Sequence, residues 1–398
     1  MQNGSGVSPS AKSVILKQGK EKAVRNRHHW IFSGAVGSLP EFEDGDILPV
    51  QTFSGEVLGH AYFNKKCSII GRMISFGGGD YKKAVIESVR NAVNFRKSLY
   101  NHNTTNAYRI INAEGDCLPG LIADYYNGTI VIQVSTLGME KLKPLILDTL
   151  SELLSPSCII EKSKLSSRKE EGLQDKEGVL SGKLEEPLAI IENGIKFVVN
   201  FTGAQKTSFY LDQREMRKLV MDFSKGRKVL NCFSYTGSFS VYALKGGAGR
   251  VDSVDESEEA IALAKENIHI NNLSKPDNKF YIADVFQFLR SISDSYDLII
   301  LDPPAFAKKK KDIPGAARGY KDINRIAMQH LNSGSYLMTF SCSYFIDEEL
   351  FQKIIFQAAR ESGRLVRIIQ RHHHAYDHPV NVYHPETNYL KGLLLYVE

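Results

Sequence analysis

Little in this chain suits covalent or membrane stabilisation. Five cysteines in 398 residues, at 67, 117, 158, 232 and 342, are odd in number and form no Cys-x-x-Cys pair. That argues against a disulfide framework and a structural zinc site, and for a reducing, cytoplasmic setting. No apolar run approaches the roughly 20 residues that span a bilayer, so no membrane partner is expected. The opening MQNGSGVSPSAK lacks the apolar centre of a secretory signal, and 1–11 reads as a disordered extension. Tryptophan occurs once, at Trp30, and no internal repeat is evident.

What is present is ordinary for a globular chain of two or three domains: 42% hydrophobic and 24% charged residues. The net charge of +5 is modest but concentrated. Lys12, Lys17, Lys20, Lys22, Arg25 and Arg27 face Glu21 alone; Lys308 to Lys311, Arg318, Lys321 and Arg325 face Asp312 and Asp322, so each block nets +5 and the remainder is acidic. Such clustering suits a phosphate backbone; the alternative is two solvated faces.

Three patterns follow one another. Residues 12–78 carry short strand-like runs (SVILK, DILPVQTF, EVLGHAYF, CSIIGRMISF) interrupted by the basic insert GKEKAVRNRHHWIFSGAVG, and end at the hinge FGGGD. Residues 79–200 read as α+β: a helix from Tyr81 with Ala84, Val85, Val89, Val93 and Phe95 on its apolar face, then strands with an Asn127-Gly128 hairpin. The polar stretch 163–187 reads as a surface excursion, and AIIENGIKFVVNF as a second hairpin. From 201 to 398 strands and helices alternate strictly, predicting a mostly parallel sheet covered on both faces and closed by two strands without an intervening helix. The fold class expected is α/β.

In such sheets ligands bind at the carboxyl ends of strands beside the switch in strand order. Those ends here read NCFSYTGSFS, VDSVDES, YIADVF, LDPPAFA and FSCS. Gly237 opens a helix, and Asp255 lies about 20 residues on, where an acid accepts from ribose hydroxyls. Asp284 suits an adenine amino group. Only one glycine of G-x-G-x-x-G is present, which counts against NAD and fits an adenosyl ligand without a pyrophosphate. In DPPAF two prolines hold the backbone extended, so Asp302 and Phe306 can face the edge and the ring of a flat base. Cys342, between two serines after an apolar strand, reads as either a packing residue or a nucleophile. Cys232 reads as packing beside Val229, Leu230 and Phe233. Adjacent His372, His373 and His374, with His378, point to alternate faces and cannot all ligate one ion, so no metal is expected.

On GKEKAVRNRHHWIFSGAV, INAEGDCLPGLIADYY, GAQKTSFYLDQREMR, VLNCFSYTGSFS, LDPPAFAKKKK, RGYKDIN, FSCS and DHPVNVYHPETNYLKG, the chain resembles class I S-adenosylmethionine-dependent cytosine-C5 methyltransferases of large-subunit (23S) ribosomal RNA. The resemblance covers nearly everything after the loose start. It implies a PUA RNA-binding domain over 12–78, a central domain over 79–200 and a Rossmann-like, seven-stranded methyltransferase over 201–398. It implies S-adenosylmethionine held by Gln213, Asn231, Phe233, Tyr235, Gly237, Asp255, Asp284 and Asp302, with Cys342 and Asp302 catalytic. It places the histidine-rich loop near the substrate. Ribosomal RNA would be met by Lys20, Lys22, Arg25, Arg27, Trp30, Phe306, Lys308 and Lys309, and a homodimer is left open. Many RNA cytosine-C5 enzymes carry a second cysteine after the DPP-like proline; here Ala305 follows Pro304, so the group completing product release is unassigned. Two alternatives stand beside this: methylation of an exocyclic amine of adenine or guanine, which needs no cysteine, and a non-catalytic RNA-binding assembly factor.

Overall fold

The computed structural model describes residues 12–201 and 209–398; the 1–11 extension and the stretch 202–208, which includes all of GAQKTS, lie outside the described residues. The chain begins with β1 (Val14–Leu16), a short α1 (Lys22–Arg25), β2 (Trp30–Phe32), β3 (Val36–Ser38), β4 (Ile47–Gln51), β5 (Val57–Phe63) and β6 (Ile69–Phe76). These form one sheet in the order β2-β6-β5-β4-β1-β3. Alternate residues Val14, Leu16, Leu48, Val50, Ala61, Phe63 and Met73 point into its core.

The FGGGD hinge leads to α2 (Tyr81–Leu99), capped by the Asp80 carboxylate, which accepts the Lys82 N–H. Its buried face is Val85, Val89, Ala92, Val93 and Arg96. Phe95, assigned to that face from periodicity, is 40% exposed, and the place goes to Arg96, whose charge Asp116 neutralises. There follow β7 (Ala107–Asn112), β8 (Leu121–Tyr126), β9 (Thr129–Val134), α3 (Leu137–Leu154), β10 (Cys158–Ser163), α4 (Ser166–Glu170) and β11 (Lys176–Gly182), in a sheet ordered β11-β10-β9-β8-β7. The β8–β9 turn is the expected Asn-Gly hairpin. The 163–187 stretch is not merely an excursion: β11 pairs antiparallel with β10. An edge strand needs only backbone pairing, so its seven exposed residues carry no apolar alternation to read.

The hairpin β12 (Leu188–Glu192) and β13 (Ile195–Val199) precedes α5 (Arg214–Asp222), β14 (Lys228–Cys232), α6 (Ser238–Lys245), β15 (Arg250–Asp255), α7 (Glu258–Ile270), β16 (Lys279–Ile282) and α8 (Val285–Ser291). Then come β17 (Tyr296–Leu301), α9 (Ile313–Gln329), β18 (Leu331–Ser341), α10 (Glu348–Ser362), β19 (Val366–His372) and β20 (Lys391–Val397). The sheet order is β16-β15-β14-β17-β18-β20-β19. All pairs from β16 to β18 are parallel, and β20 inserts antiparallel between β18 and β19. The strand order reverses between β14 and β17, which puts a ligand crevice at their carboxyl ends. One core cluster runs from Tyr126, Val131 and Ile160 through Phe197 to Val229 and Phe239, so the central and last sheets share apolar packing across residue 200.

Candidate active site

The turn after β14 is built to approach something closely. Phe233, Tyr235 and Gly237 all have positive φ, at 58°, 46° and 74°. Strain of this kind in non-glycine residues persists only where surrounding bonds fix it. Here the Asp255 carboxylate does so, accepting the Tyr235 N–H at 2.8 Å and the Ser257 N–H at 3.0 Å. Gly237 has a second constraint: a Cβ there would lie 2.6 Å from the Ala264 Cβ of α7. Asp284 caps α8, accepting the Gln287 N–H, and stands beside Asp255 because the Ala283 N–H donates to the Asp255 carbonyl.

Around this crevice Gln213 Oε1, Asn231 Oδ1 and Ser234 Oγ are buried and have no hydrogen-bond partner. Buried acceptors left open are costly unless a ligand satisfies them. They suit a ligand that brings donors, such as an α-ammonium and ribose hydroxyls. The other end of Gln213 donates from Nε2 to Asp302 Oδ1 at 3.0 Å, linking the crevice to DPPAF. Gly237, Asp255, Asp284 and Asp302, read from strand ends, and Gln213, Asn231, Phe233 and Tyr235, added by the resemblance, lie on adjoining strand ends and turns.

Leu301 of β17 lies opposite Thr339 of β18, so Asp302 and Cys342 leave neighbouring parallel strands. Cys342 Sγ is 3.8 Å from the Pro303 carbonyl oxygen. The two loops are tied together: the Ala307 N–H donates to Ser343 Oγ, which also bonds the Tyr320 hydroxyl at 3.0 Å. Tyr210 sits close to both, its phenol pushed up by burial and by the nearby Asp302, Tyr235, Asp212 and Cys342. Phe306 is half-buried between Phe286 and Tyr320, with its ring centroid 4.5 Å from that of Tyr320. Lys308 and Lys309 follow it, exposed.

The N-terminal residues expected at RNA divide into two groups. Lys20, Lys22 and Arg27 are exposed, with no carboxylate partner among the described residues. Arg25 is instead paired with Glu56. Trp30 is half-buried, its Nε1–H donating to Glu114 at 2.8 Å and its ring 4.5 Å from His384, so these two side chains join parts of the fold. His28, His384 and Glu386 bring ligand-type atoms within 4.8 Å of one another. The Trp30 N–H donates to His28 Nδ1, which leaves the proton of a neutral ring on Nε2, and that N–H donates to Glu386. A metal would need that Nε2 lone pair, so the trio is read as a hydrogen-bonded clasp between β2 and the last loop.

Sequence reading missed a buried charge network beneath the site. Asp377 Oδ2 accepts from Arg214 at 2.9 Å and from the Arg109 N–H at 2.9 Å, and Arg214 and Arg217 both bind Glu192. Arg214 and Arg217 stand in QREMR and Asp377 in DHP; the available signal was that both motifs carry charges with no evident surface role. Of the histidine loop, His374 Nε2 accepts the N–H groups of Tyr389 and Leu390, pinning the approach to β20. Burial holds His374 at about 3 and His372 at about 4, so both are neutral near pH 7.

Comparison with known proteins agrees with this geometry. The family model for S-adenosylmethionine-dependent methyltransferases matches residues 108–382, and that for PUA-like domains matches 14–76. A solved S-adenosylmethionine-dependent methyltransferase from Streptococcus mutans superposes with a TM-score of 0.82 at 23% identity, over 97% of this chain and all of that one. A methyltransferase solved with SAH gives 0.84 at 24% identity over the same shares. The chain belongs to the S-adenosylmethionine-dependent methyltransferases, with a PUA-like domain ahead of the catalytic fold. S-adenosylmethionine is its cofactor.

The membership can be drawn more narrowly. The Vibrio vulnificus (strain YJ016) protein named ribosomal RNA large subunit methyltransferase I is 41% identical over 390 residues, 96% of this chain and 98% of that one. The protein of that name from Shewanella denitrificans is 41% identical over 395 residues, with the same coverage. This chain belongs to that family. Among the described residues no helix is long and apolar enough to cross a membrane.

Proposed function

We propose that this enzyme methylates carbon 5 of a cytosine in large-subunit ribosomal RNA through a covalent adduct on Cys342. The observation that carries this reading is the pairing of Asp302 and Cys342 at the ends of adjacent parallel strands, beside the crevice of open acceptors. Carbon 5 of cytosine is a weak nucleophile because its electrons belong to the aromatic ring. A thiolate adding to carbon 6 breaks that conjugation and moves an electron pair onto nitrogen 3, which takes a proton that an Asp302 carboxyl at that edge would donate. Carbon 5 then has enamine character. S-adenosylmethionine supplies the electrophilic methyl that it takes. A base takes the carbon 5 proton, the C–H electrons form the carbon 5–carbon 6 double bond and expel the sulfur as thiolate, and the nitrogen 3 proton returns to Asp302, which restores the ring. A nucleotide reaching this crevice must leave its stack, and the DPPAF backbone, stiffened by Pro303 and Pro304, supplies a fixed wall against which a flat ring can lie. Lys308 and Lys309 are suited to the flanking phosphates.

The test is nucleoside mass spectrometry of large-subunit RNA treated with the enzyme and S-adenosylmethionine. Wild type is expected to produce 5-methylcytosine, and Cys342→Ala none while still binding the cofactor in calorimetry. RNA containing 5-fluorocytosine is expected to trap the wild-type enzyme covalently, since fluorine blocks the final elimination. Robust 5-methylcytosine from Cys342→Ala would remove the covalent route, and a methylated exocyclic amine in the map would replace the substrate atom.

A further inference from the structure

Lys391, the first residue of β20, lies opposite Ser341 of β18. Its side chain is nearly enclosed, at 5% exposure. Nζ donates to the Ser343 carbonyl at 2.7 Å and to the Tyr389 carbonyl at 2.6 Å. Among the described residues no carboxylate comes within ion-pair distance of it. A buried ammonium held only by carbonyls is poorly compensated, because desolvation of a full charge costs more than two neutral acceptors return. The Ser343 carbonyl belongs to the residue after Cys342, so the ammonium grips the turn that carries the thiol. Every other cysteine is set against ionisation: burial raises Cys67 to about 11 and pushes up Cys117, Cys158 and, most strongly, Cys232.

We propose that Lys391 is the resident counter-cation of Cys342, holding its sulfur as a thiolate before RNA arrives. The sulfur's role as nucleophile rests on the reading above; the ion pair itself does not need RNA. Starting from the uncharged pair the step balances: the Cys342 S–H, which lies against the Pro303 carbonyl, gives its proton to the amine Nζ, the S–H electrons stay on sulfur, and a third N–H bond forms, so total charge is unchanged. Burial lowers the ammonium and outweighs the upward pull of the nearby Cys342, Asp347 and Glu348, leaving it at about 8. The other groups facing the pair are the phenols Tyr210, Tyr320 and Tyr389, each raised by burial and hence neutral near pH 7, and Asp302 beyond Tyr210. Lys391 acts through Cys342 and is a positioning residue.

The experiment follows iodoacetamide alkylation of the full-length enzyme without RNA or cofactor, reading Cys342 by peptide mass spectrometry from pH 5 to 10. Wild type is expected to show a midpoint at or below about 7, against about 8.5 for an ordinary thiol. Lys391→Met is expected to move it up by about one unit or more and slow alkylation at pH 7 about tenfold. Lys391→Arg keeps the charge and is expected to stay near wild type. An unmoved midpoint in folded Lys391→Met overturns the proposal. Should that variant not fold, a wild-type midpoint at 8.5 or above overturns it equally. A low, lysine-dependent midpoint with no 5-methylcytosine product would sustain the ion pair and remove only the carbon 5 reading. Normal 5-methylcytosine with a lysine-independent midpoint would do the reverse.

Discussion

The Asp255 oxygens accept the Tyr235 and Ser257 N–H groups, which fixes a turn containing left-handed residues, and each oxygen keeps a further lone pair, which we propose a ribose hydroxyl uses. Asp255→Ala therefore removes a ligand acceptor and loosens the turn together. The expected loss is about 1–3 kcal/mol of S-adenosylmethionine affinity, measured by calorimetry. Asp255→Asn keeps an acceptor oxygen but turns the other position into a donor facing a backbone N–H, and is expected to fall between the two. Unchanged affinity in the alanine variant would detach Asp255 from the ribose.

Residues of this kind were legible because their chemistry is local. The sequence places Asp255, Asp302 and Cys342 at strand ends, and alternation alone says that such ends converge. Lys391, Arg214 and Asp377 were not assigned roles, for the opposite reason. A charged residue in a sequence reads as surface, and only the tertiary partner reveals burial. For Arg214 that partner, Asp377, is 163 positions away.

At the scale of elements, Glu140 on α3 shows what composition concealed. It receives Lys143 from its own helix, Arg168 from α4 and Lys176 from β11, so one carboxylate gathers the segment that reads as a polar excursion. Burial alone would raise its pKa, but hydrogen bonds from Lys143, Lys176 and Arg168 outweigh that and hold it at about 2. The folded value lies below the unfolded one, so the contribution is complete above the unfolded value of about 4.3 and fades as pH falls toward 2. Glu140→Gln is expected to cost on the order of 2 kcal/mol at pH 7, read from urea midpoints, with the gap to wild type closing between about pH 4 and pH 2. A gap independent of pH would mean that the glutamate is held by packing rather than by charge. The strands of the last sheet, by contrast, were read correctly from alternation with helices, including the helix-free β19–β20 pair. β11 was missed because an edge strand exposed along its whole length has no periodicity to display.

For the whole molecule, we propose that the arrangement separates chemistry from the first approach to RNA. Lys20, Lys22 and Arg27 lie exposed in the PUA-like domain, on the same segment whose His28 and Trp30 clasp the later parts of the chain. Replacing all three by glutamate is expected to weaken ribosomal RNA binding and to reduce the slope of log affinity against log salt by about 2–3, with cofactor affinity unchanged. An unaltered slope would assign this block to solvent alone. The β-rich start and the later β/α repeats were legible in the sequence, from the switch of alternating strands to strands separated by helices. The shared core across residue 200 was not, since Tyr126 and Val229 look like members of separate units until their contacts are known.

The Arg214–Asp377–Glu192–Arg217 network carries a consequence for how this family can change over time. Each member is buried, and losing any one strands a charge on the others, at a cost of roughly 3–5 kcal/mol. That penalty is a large part of a typical folding stability, so single-step drift at these positions is blocked. Substitutions would have to arrive together or in a tolerant order, with Asp377 and Arg214 exchanged as a unit for apolar residues. Across diverging lineages the four positions should therefore be inherited as one character, kept whole or lost whole, while the surface lysines around them vary independently.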